Sequence, residues 1–330
     1  MNENPGGVAR RVGTRARKLL PALVLPFVVS LAVSCIHDET GGDPSGGSGV
    51  VYGSFVVASY EAFPPYWDRH AAVVGRLYDG VVPEPYEWAE QAVSGSCRVI
   101  KPVAPFCDTA CGSGAVCSAG GVCVAYPKAL SAGKVSVNGI GTASGATSFI
   151  MNPVLGLYQP SGISLAFPPY AEGAPVTFTA SGSGESPRFS LSARGPALPM
   201  LLNDSIVLDG NPVVVRWTPP GAGAGPTSMQ VSIDISHHGG LKGTIDCATE
   251  DDGEVEIAGA LVNELKALGV SGFPQIDLVR RTSKTLEGHG VSLVLEARVL
   301  KYVTVPGVSS CREDEDCPGG QACQPDFKCQ

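Results

Sequence analysis

The sequence predicts a mainly β protein: an antiparallel β-sandwich of the Ig-like type, with a smaller N-terminal β-rich region and two small disulfide modules. Three observations predict this class. Apolar and polar residues alternate along several short segments. Glycine and proline are abundant, with 42 and 27 residues in a chain of 330, and the cysteines are concentrated in two clusters. At roughly 100 to 200 residues per domain, the chain has room for about two domains.

Residues 1–34 have the layout of a secretory signal peptide. A basic stretch ends at Lys18, and the segment 19–34 that follows is apolar, uncharged and interrupted by two prolines. Its sixteen residues fall short of the roughly 20 that a membrane-spanning helix needs. We therefore expect residues 1–34 to be a signal for export, with an uncleaved transmembrane anchor as the alternative.

The apolar run ends in Ala32-Val33-Ser34-Cys35, which resembles the lipobox of bacterial lipoproteins. The resemblance implies that Cys35 is acylated and becomes the new N-terminus, although Ala32 stands where leucine is usual. Ile36 stands where an aspartate would retain a lipoprotein in the inner membrane, so the resemblance implies an outer-membrane location. The alternative is an ordinary cleavage site, with Cys35 as one more disulfide-forming cysteine.

The predicted mature chain is acidic and begins with a flexible tether, residues 35–50, which are rich in glycine and serine. The whole chain carries a net charge of −8, and residues 1–34 hold a surplus of four positive charges, so the mature chain is near −12. Such a charge repels phosphate backbones, which excludes nucleic acid as an expected partner. The expected contact with the membrane is the lipid anchor alone.

The cysteines favour an oxidising compartment. Of the eleven, Cys35 is assigned to the lipid, and the even remainder favours five disulfides. The segments CGSGAVCSAGGVC (111–123) and CPGGQACQPDFKC (317–329) share the spacing C-x5-C-x5-C and form an internal repeat. The expected disulfide-forming cysteines are Cys97, Cys107, Cys111, Cys117, Cys123, Cys247, Cys311, Cys317, Cys323 and Cys329.

This spacing resembles the Dickkopf-like or EGF-like modules of uncharacterised bacterial surface lipoproteins. The resemblance implies two compact modules, residues 102–127 and 306–330, in which cross-links replace a hydrophobic core. It favours pairing of the first cysteine with the third and the second with the fourth, although four cysteines allow three connectivities. Cys97 and Cys247 are then left for a long-range link. Zinc binding is the alternative, but paired C-x2-C motifs and nearby histidines are absent from the sequence.

Between the modules, the pattern predicts strands and one helix. Residues 51–101 form the small β-rich region, and residues 128–305 form the β-sandwich domain. Strong period-2 alternation marks residues 229–236, 213–217, 276–278 and 291–299. Residues 257–268 instead carry leucines at helical spacing, which predicts a short helix.

The sequence contains no motif that predicts catalysis or a cofactor: it lacks H-E-x-x-H, the G-x-S-x-G elbow and the P-loop. His237 and His238 follow a strong strand and are expected to be solvated rather than metal ligands. Two acidic runs raise the question of calcium, of which the first contains the weak candidates Asp251 and Asp252. Solvated turns are the expected alternative at both.

Aromatic residues beside prolines predict the binding surface, because prolines hold short segments open and flat rings can stack on sugars or contact proteins. The alternative is that these rings fill a core. The first hypothesis is a non-catalytic, lipid-anchored envelope protein that binds an extracellular protein or polysaccharide. The alternatives are an envelope hydrolase with paired carboxylates, or a purely structural surface protein. The predicted contact residues are Tyr60, Phe63, Tyr66, Trp67, Tyr86 and Trp88.

Overall fold

The computed structural model describes residues 49–84, 86–236 and 242–330. The signal peptide, Cys35, nearly all of the tether, His237 and His238 lie outside these ranges, so the expectations about them stay predictions. In the described part, no helix is long and apolar enough to cross a membrane.

The described chain contains eighteen strands and one α-helix. The first ten strands are β1 (Tyr52–Tyr60), β2 (His70–Tyr78), β3 (Glu87–Ser94), β4 (Cys97–Val103), β5 (Ala115–Cys117), β6 (Cys123–Ala125), β7 (Ala129–Leu130), β8 (Val135–Asn138), β9 (Ser148–Met151) and β10 (Leu157–Tyr158). The remaining elements are β11 (Pro175–Ala180), β12 (Phe189–Arg194), β13 (Val213–Arg216), β14 (Ser228–Asp234), β15 (Thr244–Glu250), β16 (Glu254–Ile257), α1 (Gly259–Ala267), β17 (Gln275–Thr285) and β18 (Gly290–Tyr302).

The strands form one large sheet and three smaller ones, which confirms the mainly β class. The large sheet has the order β10-β2-β1-β18-β17-β14-β15-β4-β3, with β7 paired to β2. It is mixed, because β1 and β18 are parallel, whereas the other pairs are antiparallel. A four-stranded sheet has the order β12-β11-β8-β9, and the pairs β13-β16 and β5-β6 form the two smallest sheets.

The strands of residues 51–101 do not form a sheet of their own. β1 and β2 lie on one side of the β18-β17-β14-β15 block, and β3 and β4 lie on the other. The division between a small region at 51–101 and a sandwich at 128–305 therefore does not correspond to separate sheets. The physical reason is long-range pairing: β1 pairs with β18, more than 230 residues away in the chain.

Two hydrophobic cores cover the same face of the large sheet. The first lies between β1, β2, β18 and the four-stranded sheet, and the second lies between β14, β15, β17, the β13-β16 pair and α1. On β18, Leu293 and Leu295 belong to the first core and Val299 to the second. These are alternate residues of one strand, so they point to one face.

The predicted periodicities agree with this packing. Along β14, Met229, Val231, Ile233 and the following Ile235 are buried, with at most 1% of each side chain exposed. The predicted helix at 257–268 is α1, which buries Leu261, Val262 and Leu265 against the second core.

The large sheet must be strongly coiled. β2 and β3 are seven strand spacings apart in the sheet order, which is about 33 Å in a flat sheet. Tyr78 and Glu87 also lie at opposite ends of the sheet, because Tyr78 is level with Gly290, where β18 begins, and Glu87 is beyond the level of Tyr302, where β18 ends. The chain from Tyr78 to Glu87 contains only nine residue steps, which reach about 31 Å when fully extended. A flat sheet would therefore break this connection, whereas the right-handed twist of neighbouring strands brings distant corners closer together.

The other face of the large sheet carries a row of ion pairs. Arg281 lies 2.7 Å from a carboxylate oxygen of Glu296, Arg298 pairs with Asp277, and Arg98 lies 3.4 Å from Asp246. These pairs join neighbouring strands through side chains. They also neutralise the carboxylates of this face, including the mostly buried Glu296 and Asp246.

Candidate functional site

All ten cysteines in the described residues form disulfides. In the first module Cys107 pairs with Cys117 and Cys111 with Cys123; in the second, Cys311 pairs with Cys323 and Cys317 with Cys329. This is the first-to-third and second-to-fourth pairing that the resemblance favoured. Cys97 and Cys247 form the long-range link, between β4 and β15.

The cysteine clusters leave no thiols for zinc. Among the described residues, the two groups close enough to hold a metal are Cys107, Cys111 and Cys123, and Cys311, Cys317 and Cys329. Every one of these sulfur atoms is part of a disulfide. Zinc needs deprotonated thiolates, which a disulfide does not supply.

Asp251, the first calcium candidate, is instead the centre of a buried hydrogen-bond network. The side chains of Asp251 and Arg280 are 2% and 1% exposed, and Arg280 Nε lies 2.6 Å from Asp251 Oδ2. Trp217 Nε1 donates to Oδ1 at 2.8 Å, and Thr227 Oγ1 donates to Oδ2 at 2.7 Å. Both oxygens are therefore occupied by donors, and this carboxylate is structural. The neighbouring Asp252 accepts a long bond, 3.5 Å, from Glu254 N.

The first predicted aromatic segment, residues 60–67, packs against the C-terminal module. Phe63 is 5% exposed, and its ring lies 4.8 Å from that of Tyr302. The guanidinium of Arg312, in the C-terminal module, lies 5.4 Å from the ring centre of Tyr66 and 5.3 Å from that of Phe273. These distances are typical of cation–π contacts. The core-filling alternative thus describes Phe63, and Tyr60 with 9% exposure, better than an open platform does.

Tyr302 completes this junction at the end of β18. Burial and a hydrogen bond with Tyr66 raise the pKa of Tyr302 to about 12, although Arg312 nearby acts in the opposite direction. The phenol is therefore neutral at physiological pH and able to donate. Trp67 is tied to the same segment, because its Nε1 donates to the Glu61 carbonyl at 3.1 Å.

The second predicted segment, Tyr86 and Trp88, lies elsewhere. Trp88 is on β3, the edge strand of the large sheet, six strand spacings from β1. The two aromatic segments therefore lie on strands that are not neighbours in the large sheet. Tyr86 and Trp88 are 42% and 39% exposed.

Tyr86 and Trp88 belong to a group of exposed apolar side chains in residues 81–126, which we name the first-module surface. Val103 pairs with Glu87 beside Trp88, and the chain then passes through Phe106 into the first cysteine module. At the exit of the module, Lys128 N donates to Asp79 Oδ1 at 2.7 Å, which brings this end beside the 79–82 segment. The members of the surface are Val81, Val82, Tyr86, Trp88, Val103, Phe106, Val122, Val124 and Tyr126.

The local structure explains why these side chains are exposed. β3 pairs on one side only, and none of its residues is buried. One disulfide ties β5 to Cys107 and another ties β6 to Cys111, so the module keeps its shape without a core of its own. The sequence of residues 107–126 does not predict this surface, because valines in such a segment are equally typical of a buried strand.

Comparisons with known proteins give no family. No family model matches the chain, and no curated protein matches it. Among solved structures, a tetra-tandem repeat from the extending region of a large adhesion protein is 10% identical, with a TM-score of 0.20 over 78% of this chain and 76% of that chain. The FN1–FN3 domains of chicken CNTN1 are 7% identical, with a TM-score of 0.18 over 71% and 74%. TM-scores this low carry no argument about this chain.

Proposed function

We propose that this chain is a non-catalytic, lipid-anchored protein of the cell envelope that binds an extracellular protein through the first-module surface. The observation that carries the proposal is the concentration of exposed large hydrophobic side chains. Eighteen are exposed in the described residues, and nine of them belong to this surface. Residues 81–126 make up only about a sixth of the described chain. Such a concentration of exposed apolar side chains is typical of a binding site for another macromolecule.

The composition of the surface favours a protein partner over a polysaccharide. Five of its nine side chains are valines, which offer neither a flat ring for stacking on a sugar nor a hydrogen-bonding group. Beside them, β3 presents an unpaired strand edge, to which an extended segment of a partner can add by backbone hydrogen bonds. β3 also carries Glu87 and Glu90 and no basic residue, so a partner segment with basic side chains would be complementary.

Export and anchoring rest on the sequence, and the disulfides support them. Five cross-links are typical of proteins outside the cytoplasm. The lipobox-like segment ending at Cys35 supplies the anchor, and Ile36 favours the outer membrane. The pairing within the two modules supports their resemblance to the Dickkopf-like or EGF-like modules of surface lipoproteins.

The hydrolase alternative finds no support in the charged network of the large sheet. The four carboxylates Asp246, Asp251, Asp277 and Glu296 each pair with an arginine. Hydrolysis by two carboxylates needs one carboxylic acid with a raised pKa and a second carboxylate that faces the same substrate. Burial raises the pKa of Asp277, but its carboxylate is engaged by Arg298.

A photo-reactive amino acid placed on the surface tests the proposal. Position 106 is suitable because Phe106 is 81% exposed, and position 200 is the matched control because Met200 is 59% exposed and lies beside Thr218, outside the surface. We expect irradiation of intact cells to give a discrete cross-linked protein from position 106 and none from position 200. A Trp88→Asp substitution in the same chain should abolish the product. Equal cross-linking from both positions, or none from position 106, would overturn the proposal.

A further inference from the structure

A second candidate site lies in a cleft of about 300 Å³ at the end of β1. The cleft lies between Ser59 and Glu61 on one side and the segments 167–172 and 196–198 on the other. Its volume is at the lower end of the range for small-molecule sites. It shares no residue with the first-module surface.

Two buried hydroxyl groups line the cleft. Ser59 and Tyr170 are 2% and 8% exposed. Ser59 Oγ donates to Tyr170 Oη at 3.5 Å, and Tyr170 Oη donates to the Glu296 carbonyl at 3.5 Å. Both distances are long for hydrogen bonds between oxygens, whose usual range is about 2.5 to 3.0 Å. Both bonds are therefore weak, and each hydroxyl keeps a lone pair that can accept a hydrogen bond from a ligand.

The buried Tyr170 hydroxyl in the cleft is uncharged. Burial raises the pKa of Tyr170 to about 12, against the effect of its hydrogen bond with Ser59. The phenol therefore stays protonated, and because its proton is directed to the Glu296 carbonyl, its free lone pair can accept a hydrogen bond from a ligand.

The surrounding structure fixes Tyr170 and the cleft wall. A Cβ atom on Gly195 would lie 2.3 Å from the Tyr170 ring, so the ring packs directly on this glycine. On the same wall, Arg280 Nη1 donates to the Ala197 carbonyl at 3.1 Å. The buried network around Asp251 thereby holds the segment 196–198 in place, and the site is pre-formed.

The rim of the cleft combines apolar side chains with two glutamates that already bind protein groups. Phe167, Pro168 and Leu198 supply the walls. Glu61 Oε1 lies 2.6 Å from Arg69 Nε, and Glu172 Oε1 accepts a hydrogen bond from Gly221 N at 2.7 Å. A strongly charged ligand would have to compete with these partners, whereas the hydroxyl groups of a neutral ligand can bond to the outer lone pairs of the carboxylates.

We infer that this cleft binds a neutral sugar residue. The buried Ser59 and Tyr170 hydroxyls would bond to sugar hydroxyls, and the walls at Phe167 and Pro168 would cover an apolar face of the ring. A cleft of this volume accommodates one or two such residues, so the ligand is the exposed end or a short stretch of a glycan. This site goes beyond the proposed protein-binding surface and is tested separately from it.

Saturation-transfer NMR on the full-length, disulfide-bonded protein tests the inference, with a panel of free neutral hexoses and N-acetylhexosamines as probes. We expect at least one of these sugars to receive transfer from the protein. Tyr170→Phe keeps the ring on Gly195 but removes the hydroxyl, and should weaken binding about fivefold to tenfold. Ala171→Trp adds bulk at an exposed position of the rim and should abolish binding.

Tyr158→Phe is the matched control for loss of a buried tyrosine hydroxyl. Tyr158 Oη bonds to Ala132 N at 2.7 Å and to the Gly133 carbonyl at 3.0 Å, away from the cleft. This variant should bind the sugar as the unmodified protein does. Absence of transfer to every sugar in the panel would overturn the inference, as would unchanged binding to the folded Ala171→Trp variant. Transfer to a proline-rich peptide in place of the sugars would also overturn it.

Discussion

At the scale of single residues, the most deeply buried ion pair in the described chain is that of Arg280 and Asp251. Removing one partner leaves the other charge in the protein interior without compensation, which costs about 3 to 5 kcal/mol. We expect Arg280→Met to lower the free energy of unfolding by that amount, as measured by urea denaturation with the disulfides intact.

The matched control for this prediction is Arg216→Met. Arg216 pairs with Glu254 at 3.1 Å, but both side chains are more than half exposed, and exposed pairs contribute less than about 1 kcal/mol. If the two variants were equally stable, the interpretation of Asp251 as a structural centre would be wrong.

Asp234 gives a residue-scale prediction about pH. Burial raises its pKa, although hydrogen bonds from Ser236 act in the opposite direction. The folded state thus holds this proton more tightly than the unfolded chain, whose aspartate pKa is about 3.9. The contribution of Asp234 to stability is therefore present below the unfolded pKa and is lost as pH rises through the folded pKa.

Asp234→Asn removes the buried charge and keeps an oxygen that can accept the bond from Ser236 N, which is 2.7 Å long in the native protein. We expect this variant to raise the free energy of unfolding at neutral pH and to leave it nearly unchanged below the unfolded pKa. Urea denaturation at the two pH values measures both effects. Lower stability at neutral pH would show that the charged form of Asp234 is stabilising.

At the scale of elements, the disulfides are expected to differ in their effect on stability. Cys97–Cys247 joins β4 to β15 across 150 residues of sequence. The chain-entropy model gives such a link about 5 kcal/mol. Cys107–Cys117 spans 10 residues in the first module, whose residues lie outside both cores. The double replacement Cys97→Ala with Cys247→Ala should thus lower the thermal midpoint of the whole sheet strongly.

Replacement of Cys107 and Cys117 by alanine is the control at this scale. It should leave the thermal midpoint of the sheet unchanged, as followed by far-UV circular dichroism, and increase proteolysis only within residues 107–126. A common loss of stability in both double variants would mean that the first module is part of the folding unit of the large sheet.

The elements also show how far the sequence could predict the fold. Strands β14 and β18 and helix α1 were predictable because each has one buried and one exposed face, which leaves a periodic pattern in the sequence. The partner of β1 was not predictable, because parallel pairing with β18 joins segments that are far apart and have no turn between them.

Long-range contacts also limited what the sequence could predict about the aromatic residues. Their abundance near prolines predicted contact surfaces, but the packing of residues 60–67 against the C-terminal module depends on Arg312 and Tyr302, which are more than 200 residues away. The cleft at Ser59 and Tyr170 was missed for the same reason: its lining residues come from three separate segments.

At the scale of the whole molecule, the features fit an exported body that is rigid and acidic and that presents an apolar surface beside an open strand edge. The disulfides replace burial where the chain is too short to form a core, and the coiled sheet carries the first module at its edge. On this account, the protein works by binding while it is attached to a membrane through Cys35.

Intact mass spectrometry of the native protein, extracted from membranes and alkylated before and after reduction, tests this account most directly. It predicts a chain that begins at Cys35 with two or three acyl groups, and ten thiols that react only after reduction. An unacylated N-terminus at any position would contradict the proposed lipid anchor, and thiols that react without reduction would contradict the five disulfides.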